Sequence, residues 1–439
     1  MSIDKPQTGI AGANLLELDA RHIWHPFTQS QTAADPIPIV RGEGAMLYDK
    51  EGKGYLDGVS SWWVNLHGHS NPYIANRLAD QARTLEHVIF AGFTHPPAVE
   101  LCTRLSKHLP GDIERCFFSD NGSTSVEVAI KMAVQYWHNT GRPKTRIIAL
   151  EEAYHGDTFG AMSVSGRGAF TEPFFPFLFD IVSIPTPIPG SEEASVAAMQ
   201  EALQGGEVAA FIYEPLVQGA GGMRMYSPEV LDKLMGMARE ADALLIADEV
   251  MVGFGRTGRF FASDWTELKP DLVAISKGLT GGTMALGITG CTQEVFTQFL
   301  SNDHSRTFFH GHSYTANPLA CAVALASLDL TESEETWDSI TRIKVRHEEF
   351  RKNVLDGHPL TSRVRQQGTI LAFDLTPGGE QGSYFAGIRD TIYHHFLDLG
   401  ILLRPLGNTV YILPPYCITD EQLDQIYAGI QALLQREWN

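Results

Sequence analysis

Residues 243–290 read ALLIADEVMVGFGRTGRFFASDWTELKPDLVAISKGLTGGTMALGITG. Two apolar runs in this stretch each close on one charged residue: Ala243–Ala247 runs into Asp248, and Leu272–Ser276 into Lys277. Short apolar runs bounded by turn signals predict buried parallel strands. In an open α/β sheet, ligands sit at the carboxyl ends of such strands. Asp248 and Lys277 should therefore face one crevice. Gly278, Gly281 and Gly282 follow the lysine and allow backbone to come close to a ligand.

An aspartate and a lysine buried together could be a plain ion pair, but such pairs are costly to desolvate. One chemistry needs the arrangement: pyridoxal phosphate held as a lysine Schiff base, with an aspartate opposite the pyridine nitrogen. The carboxylate keeps that nitrogen protonated, and the lysine, once released, moves a proton. A free lysine has a pKa of ~10.4, so desolvation must lower it for such work.

The regions on either side fit this frame. A strand is expected at Ile113–Phe118, then the turn Ser119–Thr124 and a long helix to Trp137 with Val126, Ile130 and Val134 on one face. Thr124 and Glu127 have capping-box spacing. A turn of this kind entering a helix seats an anion well, although an ordinary capped helix would look the same. No Gly-Lys-[Ser/Thr] follows it, so it is not a Walker loop. Ile147–Leu150 delivers Tyr154 and Asp157, and Phe211–Pro215 delivers Glu214 to the Gly-rich Gln218–Gly222. A helix is expected at Leu231–Ala241. Strand and helix thus alternate from about 113 to 290, which predicts an α/β domain with a mainly parallel, doubly wound sheet.

Toward the N-terminus, Ile37–Val40 and Ala45–Tyr48 read as strands joined by Arg41–Gly44, and residues 71–110 as amphipathic helices. The paired Trp62 and Trp63 suit either a core contact or a pocket wall. Toward the C-terminus come a polar loop at Thr307–Pro318, a helix at Leu319–Leu328, and a charged surface helix at Ser339–Val354. Ile370–Leu375, Tyr384–Leu399, Ile401–Arg404 and Val410–Leu413 complete the pattern. The expected division is 1–59 and 336–439 in a small domain, and 60–335 in a large one.

The 439 residues carry 33 Lys and Arg against 52 Asp and Glu, a net charge of −19. That balance argues against nucleic acid or an anionic membrane as the main partner. No apolar run approaches the ~18 residues of a membrane span. The first residues lack an apolar signal-peptide core, so the expected location is cytoplasmic. Cys102, Cys116, Cys291, Cys321 and Cys417 form no CxxC and read as reduced core thiols. His67 with His69, and His310 with His312, have H-x-H spacing. No third and fourth ligand accompanies either pair, so no metal site is assigned.

The chain resembles the class III (ω-type) aminotransferases, pyridoxal-phosphate enzymes of fold type I, over nearly its whole length. The segments that carry the resemblance are HPFT at 25–28, SSWW at 60–63, YHGDT at 154–158, QGAGGM at 218–223, TGGT at 280–283 and Arg404–Pro405. It implies a large domain with a seven-stranded, mainly parallel sheet, and a smaller α+β domain built from both chain ends. It also implies a homodimer with shared active sites and small-molecule substrates. By resemblance, Lys277 is the Schiff-base lysine and Asp248 the pyridinium partner. Tyr154 and Val250 cover the two ring faces, and Gly122 and Ser123 hold the phosphate. Ser313 reaches the phosphate of the neighbouring subunit. Phe27, Trp62, Tyr154, Asp157, Gly311 and Arg404 face substrate, with Arg404 on a carboxylate.

The implied reaction passes the amino group of adenosylmethionine to 8-amino-7-oxononanoate, a step of biotin biosynthesis. Lysine as donor, and an ornithine or 4-aminobutyrate activity, are the alternatives. Two positions depart from the family pattern: Phe27 stands where a tyrosine is usual, and His312 where proline is frequent.

Overall fold

The computed structural model describes residues 15–377 and 387–438. The strands, in chain order, begin with β1 (Ile39–Glu43), β2 (Met46–Asp49), β3 (Gly54–Asp57), β4 (Ile113–Ser119), β5 (Arg146–Leu150), β6 (Val182–Ile184) and β7 (Val208–Tyr213). Next come a two-stranded ladder of β8 (Val217–Gln218) and β9 (Arg224–Met225), then β10 (Leu244–Asp248), β11 (Leu272–Ile275) and β12 (Gly287–Thr292). Last are β13 (Thr361–Gln367), β14 (Ile370–Leu375), β15 (Ile401–Leu402) and β16 (Thr409–Ile412).

Seven strands form the central sheet in the order β4-β12-β11-β10-β7-β5-β6. The pairs β11–β10, β10–β7, β7–β5 and β5–β6 are parallel. β12 runs antiparallel to both its neighbours, β11 and β4. The sheet is therefore mainly parallel, as expected, with one reversed strand that the sequence did not single out. All residues of β7, β10 and β11 are buried, which is why they read as unbroken apolar runs. The helix Gly122–Asn139 covers one face with Val126, Ile130, Ala133 and Trp137. The Trp137 indole N–H donates to the Ala209 carbonyl of β7 at 2.7 Å, so the aromatic buries its polar atom without loss.

Both ends of the described chain meet in smaller sheets. β3 pairs in parallel with β15, Leu56 opposite Ile401, and β13, β14 and β16 form a three-stranded antiparallel sheet. Ser60 Oγ donates to the Leu413 carbonyl at 2.8 Å, which ties the start of the SSWW segment to the end of β16.

Several boundaries differ from the sequence reading. The first hairpin turns at Gly44, whose φ is 56°, so β1 runs on to Glu43 and β2 starts at Met46. The helix at 122 is capped by Asn121, whose side chain accepts from the Thr124 N–H, while Thr124 returns a bond to the Asn121 amide. Thr124 is thus the third residue of the box and not its cap. Glu127 accepts from the Gly160 and Ala161 amides instead. The charged helix spans Glu334–Phe350 and is half-buried: Ile340, Ile343, His347 and Phe350 pack inward. Of the segment Tyr384–Leu399, Ile388–Asp398 forms a helix, and 384–386 lie outside the described residues. Cys417 is exposed, unlike the expected core thiol. No helix among the described residues is long and apolar enough to cross a membrane.

Candidate active site

Five parallel strands release their chains into one cavity of about 690 Å³. β10 ends on Asp248, and Ser276 and Lys277 follow directly on β11. Beyond β4 lie Asn121, Gly122 and Ser123, beyond β5 Tyr154 to Thr158, and beyond β7 Glu214. Val250 and Trp63 complete the walls named here. Convergence of this kind follows from the parallel sheet, whose carboxyl ends all point one way.

Asp248 is 5% exposed and held from two sides. His155 Nδ1 lies 2.7 Å from one oxygen, and the Val250 amide donates to the other at 3.0 Å. His155 is itself fixed through its amide on Ser165 Oγ at 2.9 Å, and its buried Nε2 has no hydrogen-bond partner among the described residues. Glu249, the next residue, turns the other way and accepts from the Ala262 and Ser263 amides at 2.9 and 2.6 Å. The DE pair is thus split by strand alternation, one acid for the cavity and one for the scaffold.

Lys277 sits in left-handed backbone (φ 42°), a conformation a non-glycine residue keeps only where its surroundings impose it. Its Nζ lies 4.7 Å from the centre of the Trp63 ring. Burial lowers its pKa to about 8, against the pull of the Asp248 and Glu214 carboxylates. Burial likewise raises the Glu214 carboxyl to about 7. Glu214 accepts the amides of Tyr154 at 3.1 Å and Gly219 at 2.9 Å. The Tyr154 hydroxyl is held well above its ordinary value, by burial and by Asp157 beside it.

The first turn of the helix Gly122–Asn139 leaves the Gly122 and Ser123 amides without an acceptor among the described residues, as helix starts do. Space there is tight. A Cβ on Gly156 (φ 132°) would lie 2.3 Å from Ser123 Oγ, and one on Gly122 would lie 2.6 Å from Val250 Cγ1. Thr158 fixes Ser123, with its amide donating to Ser123 Oγ at 3.0 Å and the two hydroxyls 2.8 Å apart. Free amides for an anion, a carboxylate on the floor, a flat phenol ring and a lysine of lowered pKa match pyridoxal phosphate group for group.

The remaining expected residues lie apart from these. Trp63 is buried, its indole N–H donating to Tyr411 Oη at 2.9 Å, whereas Trp62 is 41% exposed. Around Trp62 gather Phe27, with ring centres 5.7 Å apart, and Arg404, whose guanidinium lies 4.7 Å from the Trp62 ring centre. Phe27 also meets Phe170 at 6.4 Å. Arg404 is half-buried and makes no ion pair among the described residues. Gly311 and Ser313 lie on an exposed loop and do not line the cavity. In that loop His310 Nδ1 takes Lys131 Nζ at 3.0 Å. His67 bonds Ser327 Oγ at 3.1 Å, and His69 bonds Asp57 at 2.9 Å. No group of three or more His, Cys, Asp or Glu is arranged to hold a metal among the described residues. Sequence reasoning gave no role to His155, and Glu214 was noted only for its place beside the Gly-rich loop. His155 meets Asp248 across 93 residues and Glu214 meets Tyr154 across 60, beyond any local pattern.

With this geometry the chain can be set beside known proteins. Residues 28–434 match the family described as aminotransferase class III, and the chain belongs to that family. It is accordingly a pyridoxal-phosphate-dependent transaminase. A relative from Synechococcus elongatus, named adenosylmethionine-8-amino-7-oxononanoate aminotransferase, is 49% identical over 94% of this chain and 98% of its own. A crystal structure of a protein of the same name from Methanocaldococcus jannaschii shares 35% identity and superposes with a TM-score of 0.90. It covers 96% of this chain and 99% of that one. An amine transaminase from an uncultivated Pseudomonas species, solved with pyridoxal phosphate bound, is 30% identical with a TM-score of 0.88, over 94% and 98% of the two chains.

Proposed function

We propose that this chain moves the amino group of S-adenosylmethionine to 8-amino-7-oxononanoate, giving 7,8-diaminononanoate for biotin synthesis. Pyridoxal phosphate, when bound, supplies the carrier for the amino group and the electron sink at the reacting carbon. Asp248, gripped by His155 and the Val250 amide, holds the proton on the ring nitrogen. Gly122 and Ser123 would hold the phosphate, and Tyr154 and Val250 would pack against the ring. Lys277 Nζ, neutral above about pH 8, would take the proton from the substrate carbon that bears nitrogen and deliver it to the carbon on the far side of that nitrogen.

The observation that carries the substrate reading is the Arg404–Trp62–Phe27 rim. It joins a guanidinium that has no acid partner among the described residues to an apolar aromatic wall. A bidentate cation suits a carboxylate, and both proposed substrates have one. The wall suits a long aliphatic chain, and the Trp62 face suits a sulfonium. Tyr154 and Asp157 belong to the same substrate side of the cavity.

Lysine as donor is the second reading, favoured by Phe27, whose ring offers no hydroxyl to the donor. A donor screen decides between them. The purified protein, charged with adenosylmethionine or lysine, is followed by loss of its visible absorbance and by formation of product. Charging by lysine alone overturns the donor and leaves the acceptor standing. Charging by neither overturns the biotin assignment and leaves an ω-aminotransferase.

The assembly proposed is a homodimer in which Ser313 of one subunit reaches the other's phosphate and Gly311 its substrate. The loop at 307–318 exposes Phe309 (72%) and Tyr314 (65%) in the single chain, as a surface awaiting a second copy would. Full activity in a species that sediments as a monomer refutes it. Two domains, 60–335 and the joined 1–59 with 336–439, and a cytoplasmic location complete the reading.

A further inference from the structure

Leu216 and Met223 bracket the Gly-rich loop, and both hold left-handed backbone without being glycine, at φ 64° and 50°. Both are buried, at 2% and 0% exposure. Such backbone persists only where neighbours fix it more tightly than the strain pushes it out. On one side the fixing group is Arg365 of β13. Its Nε donates to the Met223 carbonyl at 2.7 Å, and its Nη2 donates to the Gly222 carbonyl. The same Nη2 lies 2.9 Å from Asp374 Oδ1 on β14. Asp374 is 1% exposed and is further held by Thr409 Oγ1 at 3.0 Å and by Arg363.

On its other side the loop meets the cavity. The Gly219 amide donates to Glu214, whose second oxygen accepts the Tyr154 amide. Ala220 lines the cavity beside Tyr154. Gln218 is tied to the Glu151 carbonyl at 2.9 Å, one turn before Tyr154. A continuous set of hydrogen bonds therefore runs from Asp374 through Arg365, the loop and Glu214 to the backbone of Tyr154.

We propose that Arg365 is a positioning residue for the cofactor end of the cavity: its planar fork clasps the turn Gly222–Met223 to the C-terminal sheet and so sets the plane of Tyr154. This rests on the reading of Tyr154 as the residue stacked on the cofactor ring. A lysine at this position keeps the charge beside Asp374 but cannot span both carbonyls and the carboxylate with one rigid plane. The clasp is thus a demand for geometry, not only for charge.

The test uses the holoenzyme of Arg365→Lys, with visible-region circular dichroism of bound pyridoxal phosphate, steady-state kinetics and a thermal melt. The expected result is a cooperative melt, dichroism changed in amplitude by about twofold or more, and kcat lowered about tenfold with KM nearly unchanged, as for a small misplacement of a catalytic group. A lowered melting temperature with wild-type dichroism and kcat makes the contact merely structural and overturns the proposal. Thr409→Val, which loosens Asp374 and leaves the fork intact, should move the dichroism the same way by less. If Arg365→Lys does not fold, an unchanged Thr409→Val spectrum is the overturning result. Tyr154→Leu separates this idea from the reading beneath it. Wild-type dichroism in Tyr154→Leu overturns ring stacking by Tyr154, and with it the route proposed here. Altered dichroism in Tyr154→Leu beside a normal spectrum in Arg365→Lys overturns the clasp alone.

Discussion

The floor of the cavity and its rim are built in opposite ways. On the floor each charged group has fixed neighbours: Asp248 has His155 and the Val250 amide, and Glu214 has two amides. Lys277 feels both those carboxylates and lies 4.7 Å from the centre of the Trp63 ring. At the rim, Arg404 rests on the half-exposed Trp62 face with no ion pair among the described residues, and Phe27 and Phe170 contribute rings. A floor with fixed partners keeps one electrostatic arrangement ready for a reacting centre. A rim of rings and a guanidinium that makes no ion pair among the described residues leaves room for two substrates of different shape. Chemistry and selectivity are thereby assigned to separate sets of residues, and mutations should sort the same way.

The sharpest break lies on the floor. Lys277→Ala should bring turnover to background while the protein still retains pyridoxal phosphate through its phosphate seat, as read by steady-state assay and by absorbance after gel filtration. Normal activity would remove the lysine from the mechanism. Asp248→Asn should fold and bind cofactor but lose about 10²–10³ in kcat, the range seen when one preorganised electrostatic partner is removed. A rate equal to wild type would mean that the ring nitrogen needs no carboxylate.

The rim should respond in binding. Arg404→Ala should weaken both substrates by about 2 kcal/mol, the low end for truncating one partner of a charge pair because the group is only half-buried. Arg404→Lys should recover part of this, since the fork is lost. An effect on kcat with unchanged KM would erase the distinction between floor and rim.

Two smaller effects sharpen the comparison. A buried lysine with a folded pKa of about 8 is protonated below that value and free above it. The rate at which apoprotein takes up pyridoxal phosphate should then rise about tenfold from pH 7 and level off above pH 8, where an ordinary lysine would continue to ~10.4. A rise continuing to pH 10 would show that burial does not tune the amine. Trp62→Phe should cost about threefold in KM for adenosylmethionine, the scale of one partly exposed cation–π contact, and leave the acceptor nearly untouched.

The floor was legible because its residues end apolar runs. Asp248 and Lys277 stand out as the first charges after the apolar runs LLIA and LVAIS, and the parallel sheet does the rest. His155 was illegible as a partner because sheet order, not spacing, brings β5 within reach of β10. The reversal of β12 was hidden for a related reason, since GITGCT reads as a buried strand in either direction. Thr124 and Glu127 have the spacing of a capping box, but Asn121 is the better acceptor and takes the cap. The two tryptophans look alike in sequence. They part in space because Ser60, Ser61 and Trp63 all hold positive φ, a twist that turns Trp63 inward and Trp62 to the rim.

The bond between Trp63 and Tyr411 spans 348 residues. On a ribosome that adds ~5–20 residues per second, Trp63 waits roughly 20–70 s for its partner. The long middle of the chain can build its sheet within that interval, while the wall beside Lys277 stays open. A nascent chain therefore carries the lysine and the aspartate well before it can close the chamber around them.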